Sequence, residues 1–322
     1  MATPRSFDRR STSSPRLRRL GSVSLLPTVA LTCAVGLATV HTAVAEPAGL
    51  LESLDSSWIE NSAWYQGDAE INLYDGTLVI YGEPRAAERI VHIFVTEAHD
   101  PDLLVKADDW RRDDAVGMLK LNYVTEAQTG VYYYNQMFSF FFERAAMNLA
   151  KMTLASHEWC GNTFKELVNF RHADGSAWHE YEFNTYWDGE GDGSFDVSFP
   201  DDLVVYESLP GQLRPLRFAE GLEVRFPLLG RQLSSRVKPP TPQPATLRVA
   251  SRGAVEVPAG RFDAWTLELE HEGGVDTLVF EAAFPNRMLR WQQAGGDRFV
   301  LRHSDRMAYW QKNATGDEDL LE

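Results

Sequence analysis

Hydrophobic and polar residues alternate with a period of two along much of this chain. In residues 262–270, Trp265, Leu267 and Leu269 are set against Thr266, Glu268 and Glu270, the pattern of a strand with one dry and one wet face. Similar short runs rich in β-branched and aromatic residues occur at 246–251, 275–280, 287–292 and 298–303. Turn formers separate them: Pro258-Ala259-Gly260, Gly273-Gly274, Pro285-Asn286 and Gly295-Gly296. The pattern predicts a β-meander over residues 246–312. Upstream, 90–96, 120–124, 131–134 and 151–155 read as strands. In 178–186, Trp178, Glu180, Glu182 and Asn184 interleave with His179, Tyr181, Phe183 and Thr185. A helical period survives only in 163–170 and 50–58, and Met307, Tyr309 and Trp310 fit either a last strand or a short closing helix. The expected class is therefore mainly β, with curved antiparallel sheets or a half-barrel and few short helices. No tract repeats at a fixed period, which argues against a solenoid or propeller.

The punctuation of the chain divides it further. Pro239, Pro240, Pro242 and Pro244 fall within residues 234–245, a stiff extended stretch expected to be a linker or a long strand connection between β-rich parts at 46–233 and 246–312. Residues 313–322 form an acidic tail expected to fray. At the other end, six arginines (Arg5, Arg9, Arg10, Arg16, Arg18 and Arg19) precede an apolar run over residues 20–40, followed by Ala43-Val44-Ala45. This is the layout of a signal peptide over residues 1–45, and it predicts an exported, periplasmic or secreted protein. The competing expectation is an uncleaved anchor, the one route by which the sequence predicts membrane contact. Pro27 and several Ser and Thr residues dilute the run against that reading.

Charge and cysteine content sharpen this picture. The 322 residues carry 46 acids against 31 basic side chains, a net charge of −15, and two cysteines. Cleavage after Ala45 would remove six arginines, Asp8 and Cys33 and leave a charge of −20. Such a chain repels a phosphate backbone, so nucleic acid is not an expected partner. With Cys160 alone, no intrachain disulfide forms, and the fold must rest on its core.

Three stretches carry candidate chemistry. Asp188, Glu190, Asp192, Ser194 and Asp196 alternate with glycines and Phe195, a donor spacing that suits calcium as the one cofactor to consider. Phe199 stands where an EF-hand loop has its bidentate Glu, and a solvated hairpin turn explains the same residues. His157, Glu158 and Cys160 make the densest catalytic combination, because an imidazole can activate a thiol and a carboxylate can orient the imidazole. Strand alternation works against it by sending His157 and Glu158 to opposite faces. Aromatic residues crowd into 132–142, and Tyr132, Tyr134, Phe138 and Phe140, with Trp159, could line an apolar cleft or fill a sheet core. The histidines have no zinc spacing, and no Walker A loop, dinucleotide fingerprint or G-x-S-x-G elbow occurs.

Two segments resemble known families. Leu119-Lys120-Leu121-Asn122, Thr129-Gly130-Val131-Tyr132-Tyr133-Tyr134, Met137, Lys151-Met152-Thr153 and Glu158-Trp159-Cys160-Gly161 resemble an uncharacterised family of exported bacterial proteins. Some of its members carry a septum-formation-inhibitor label. That label belongs to cytoplasmic nucleotide pyrophosphatases, whose motifs are missing here. Val257-Pro258-Ala259-Gly260-Arg261-Phe262-Asp263-Ala264 is similar to a periplasmic β-rich domain of unknown function. The resemblances imply an exported antiparallel fold and no activity.

The functional expectation is a non-enzymatic exported β-protein whose concave sheet binds an apolar or amphipathic envelope ligand. The alternatives are a hydrolase using His157, Glu158 and Cys160, and a structural envelope module with calcium at the 188–196 loop.

Overall fold

The period-two alternation becomes strands in a computed structural model, which describes residues 48–321. The first part supplies β1 (Ala48–Gly49), β2 (Ala69–Ile80), β3 (Glu83–Ala86), β4 (Arg89–His99), β5 (Val116–Thr129), β6 (Tyr132–Glu143), β7 (Leu149–Glu158), β8 (Gly161–Arg171), β9 (Ala177–Asn184) and β10 (Asp192–Phe195). The remainder adds β11 (Val204–Val205), β12 (Glu223–Leu229), β13 (Gln243–Val257), β14 (Gly260–His271), β15 (Gly274–Glu281), β16 (Met288–Gln292) and β17 (Arg298–Met307). The two α-helices among the described residues are single turns, α1 (Ser56–Glu60) and α2 (Leu209–Gln212). The expected export signal lies outside the described residues. Among those described, no helix is long and apolar enough to cross a membrane.

All the strands belong to one mainly antiparallel sheet. From β4 to β10 each strand pairs antiparallel with its successor, and so does each from β12 to β17. Strand β2 joins the two series. One of its edges takes β17, with Ala69 opposite Met307 and Thr77 opposite Arg298. Its other edge takes β4 along the first half and β3 along the second. The short β1 and β11 lie parallel on the outer edge of β12.

This continuity replaces the domain boundary expected at the proline-rich segment. Residues 230–242 simply carry the chain from β12 to its neighbour β13, and Glu46–Glu322 form one compact unit. Leu121, Phe138 and Leu154 from one series share a core with Leu247, Leu267, Leu278 and Trp291 from the other. A sheet whose two ends reach the same core must curve around it. The meander expected over 246–312 is present as β13 to β17.

The helix expected over 163–170 is instead strand β8. Its local period loses because both edges find partners, Thr163 opposite Ser156 on β7 and Leu167 opposite Tyr181 on β9, which satisfies every backbone group in a half-buried position. The stretch at 50–58 does coil, as a 3-10 turn (Leu51–Ser53) and α1, capped by Asp55, whose side chain accepts from Ser57 N–H. In the acidic tail the residues Asp317–Leu321 make a 3-10 turn. Leu321 rests on the cluster of Ile71, Leu73 and Val91, so this apolar end folds back where fraying was expected.

The concave side is not empty. Every residue over 203–216 is buried, and this segment crosses the inner face of the sheet as β11, a 3-10 turn (Tyr206–Ser208) and α2. Gly211 makes the close approach feasible. A Cβ there would sit 3.1 Å from Leu121 Cδ2 and from Phe142 Cε2 and 3.3 Å from Phe94 Cε1, so only glycine lets the turn press onto that face. Phe138 and Phe140 stack beneath with ring centroids 5.2 Å apart and are wholly buried. The aromatic inner face is thus the wall of a filled core.

Candidate functional site

The structure separates the residues suggested for nucleophilic chemistry. Strand β7 ends at Glu158, and Trp159 and Cys160 form the tight turn into β8. His157 faces outward, its Nδ1 2.5 Å from Asn162 Oδ1. Glu158 points inward and is buried, while Cys160 is exposed at the turn. Alternation along the strand keeps imidazole and carboxylate on opposite faces.

The aromatic candidates also divide. Phe138 and Phe140 belong to the core. Tyr132 and Tyr134 lie further along the same face of β6, near the strand start, where the Tyr132 hydroxyl donates to Tyr81 Oη at 2.6 Å and Tyr81 and Tyr134 hydroxyls are 2.7 Å apart. Burial and hydrogen bonds with Tyr81, Glu158 and Tyr132 push the Tyr134 phenol well above the ordinary range. Trp159 projects into solvent from the next turn.

In the 188–196 loop, Glu190 accepts from Val237 N–H at 2.9 Å and pairs with Arg236 at 3.1 Å. Asp192 and Ser194 lie in β10, paired with β9. The loop carboxylate thus serves to hold the proline-rich connection against β9. Among the described residues no group of three or more His, Cys, Asp or Glu side chains converges as a metal site would require.

A different place collects polar side chains under an open space. On the outer face of β4 to β7, the registers align two rows of residues. One row runs Val95, Lys120, Phe141, Lys151; the next runs Ile93, Asn122, Ser139, Thr153. All but Ile93, which packs against Ile71, Leu73 and Val91, form the floor of a groove of about 1220 Å³. The loop over residues 100–115 makes one wall, and Tyr309 and Trp310, just beyond β17, make another.

The loop is folded by its own sequence. Asp100 Oδ1 accepts from the N–H groups of Asp102 and Leu103, and Pro101 fixes the backbone between them. Ala107 N–H then bonds to Ala98 O at 2.8 Å, and Leu104 is buried against Met118, Ala150 and Val168. Trp110 is left standing at the rim with 65% of its surface exposed, the Arg111 guanidinium 4.6 Å from its ring centre.

Charge on the floor is organised around one carboxylate. Glu97 Oε1 lies 2.5 Å from Lys120 Nζ and 3.9 Å from Lys106 Nζ, and Oε2 lies 3.4 Å from His99 Nε2. Burial alone would raise its pKa, but the hydrogen bonds from His99 and Lys120 and the charges of Lys120 and Lys106 outweigh it, holding the carboxyl down at about 2. Lys151 pairs with Glu166 at 2.9 Å, and Ser139 Oγ donates to Asn122 Oδ1 at 2.8 Å. The backbones bearing Lys120 and Lys151 are two strands apart, roughly 10 Å, with Phe141 between them. This arrangement can hold an acidic group between two ammonium groups and lay an apolar body along Trp110 and Trp310.

Sequence reasoning missed this groove. Its one signal was the set of polar residues Lys120, Asn122, Ser139, Lys151 and Thr153 at alternate positions of otherwise apolar strands. The chain matches no protein-family model and no curated protein.

Proposed function

We propose that this protein is a non-catalytic binding protein, exported to the cell envelope, whose outer-face groove takes a single-chain amphiphile with a carboxylate or phosphate head. The observation that carries the reading is the groove itself: about 1220 Å³ of space with a floor of Lys120, Lys151, Asn122 and Ser139 and walls of exposed aromatic rings. Ligand pockets characteristically combine a large apolar contact area with a few fixed polar groups. Glu97 is shared by Lys106 and Lys120, which leaves a surplus of positive charge at the floor for an anionic head. The arginine-rich start, the apolar run and Ala43-Val44-Ala45 support export. The ligand lies on the convex side, because the chain's own residues 203–216 occupy the concave side.

Titration with dodecanoate and dodecyl phosphate, followed by intrinsic tryptophan fluorescence and native mass spectrometry, tests this. Saturable binding of one amphiphile per chain is expected, with dodecanol bound at least tenfold more weakly. Absence of saturable binding, or equal affinity for the uncharged dodecanol, would overturn it.

A further inference from the structure

The hairpin turns at one end of the sheet carry large uncharged side chains in open solvent. Tyr81 and Gly82 make the turn from β2 to β3, Gly130 and Val131 the turn from β5 to β6, and Trp159 and Cys160 the turn from β7 to β8. The three turns are neighbours. Tyr81 bonds to Tyr132 and Tyr134 at the start of β6, and Tyr134 sits opposite Glu158, the last residue of β7. Val131 is 83% exposed, Trp159 72% and Tyr81 68%. Tyr186 extends the strip. A Cβ on Gly161 would fall 2.4 Å from its ring, so the ring lies flat against the Trp159 turn.

Turn tips ordinarily carry Asn, Asp, Ser or Gly, which water solvates well. Here all six tip residues are uncharged in a chain that is 24% charged, and the large ones are a valine and two aromatic residues. The strip is convex, made of separate projecting tips, which fits a soft surface better than a rigid partner pocket. Its phenol hydroxyls bond mainly to one another, so their polar needs are met when the strip leaves bulk water. Tyrosine and tryptophan, each an apolar ring with a polar tip, favour the headgroup level of a bilayer.

We propose that this end of the sheet docks on a lipid surface made of zwitterionic lipids. Charge selects that class. Glu83 and Asp188 adjoin the tips, Arg89 and Arg236 nearby are already paired with Glu126 and Glu190, and the whole chain carries −15, so an anionic surface repels the molecule. The strip lies away from the groove and uses none of its residues, so the two proposals fail separately.

Residues 46–322 form one compact unit with Cys160 as its only cysteine, so a polarity-sensitive fluorophore can be placed at the strip without mutation. On mixing with phosphatidylcholine vesicles, the labelled protein should shift its emission to the blue, and unlabelled protein should float with the vesicles. The double variant V131D/W159D should lose at least tenfold in vesicle affinity with an unchanged far-UV circular dichroism spectrum, and W159S alone at least threefold. Replacing half the lipid by phosphatidylglycerol should weaken binding. Failure to float, equal flotation of W159S and V131D/W159D with the parent, or tighter binding to the anionic vesicles would overturn the proposal. A blue shift without lipid that grows with protein concentration would assign the strip to self-association and overturn it equally.

Discussion

Arg214 and Glu70 meet as a two-point ion pair in the interior, Nη2 to Oε2 at 3.0 Å and Nη1 to Oε1 at 2.9 Å. The pair fastens the segment that fills the concave side, just after α2, to the start of β2. Arg214 also packs over Phe94, with its guanidinium carbon 4.3 Å from the ring centre, and donates from Nε to Pro285 O. Removing one partner strands a buried charge, which costs about 3–5 kcal/mol. Arg214→Ala should therefore lower the melting temperature by about 10 °C for a chain of this size. Arg214→Met combined with Glu70→Leu should recover most of that loss, because both charges leave together. Calorimetry on the three proteins decides it, and equal destabilisation by the single and double changes would show that packing rather than charge is at stake.

His92 sets the acid response of the fold. It is wholly buried between Tyr74 and Tyr123, with ring centroids 4.6 Å away on each side, and neither ring nitrogen has a hydrogen-bond partner. Burial, assisted by the charge of Arg214, lowers its pKa to about 3. The unfolded chain protonates this imidazole near its ordinary value of 6.5 while the folded chain does not. Between pH 6.5 and 3 the unfolded state therefore binds more protons, and stability is lost as the pH falls through that window. From pH 7 to 4.5 the loss amounts to about 2–3 kcal/mol. Glu97, held at about 2, adds its own loss only below pH 4.5. His92→Phe should flatten the pH dependence of urea unfolding between pH 7 and 4.5. An unchanged slope would remove His92 from the account.

Strand content was legible because alternation is local, and Trp265, Leu267 and Leu269 betray their face without knowledge of the partners. The plug over residues 203–216 was not legible. Pro210, Gly211 and Pro215 give it the composition of a surface turn, and its burial follows only from the curving of the sheet around it. The groove was hidden for a related reason. Lys120, Phe141 and Lys151 are far apart in sequence, and the registers of three strands bring them into one row. His157 and Glu158 show the converse, since they are adjacent in sequence and alternation sets them on opposite faces.

Cys160 is exposed at its turn, and the His157 ring is engaged with Asn162 on the outer face. Iodoacetamide should alkylate Cys160 in the native protein as readily as it does an exposed thiol in a peptide. His157→Ala should leave the rate within about twofold, because the imidazole is taken up by Asn162. A tenfold fall in rate would restore the pair as a reactive unit.

The groove makes separable demands on its floor and its walls. Lys120→Met removes one of the two ammonium groups that would face an anionic head, but it also loosens Glu97, whose remaining nearby cation is the exposed Lys106. Lys151→Met is the cleaner change, since its ion-pair partner Glu166 is less buried than Glu97 and can turn to water. A charge-assisted contact contributes about 1.5–3 kcal/mol, so Lys151→Met should weaken dodecanoate binding about tenfold or more while leaving dodecanol unaffected. Trp110→Ala should weaken both ligands alike, since the ring contributes apolar contact without regard to the head. Measuring both ligands against both variants distinguishes the two roles. If Lys151→Met weakened dodecanoate and dodecanol equally, the floor would not be reading the charge of the head, and the outer-face groove would have to be understood as apolar space alone.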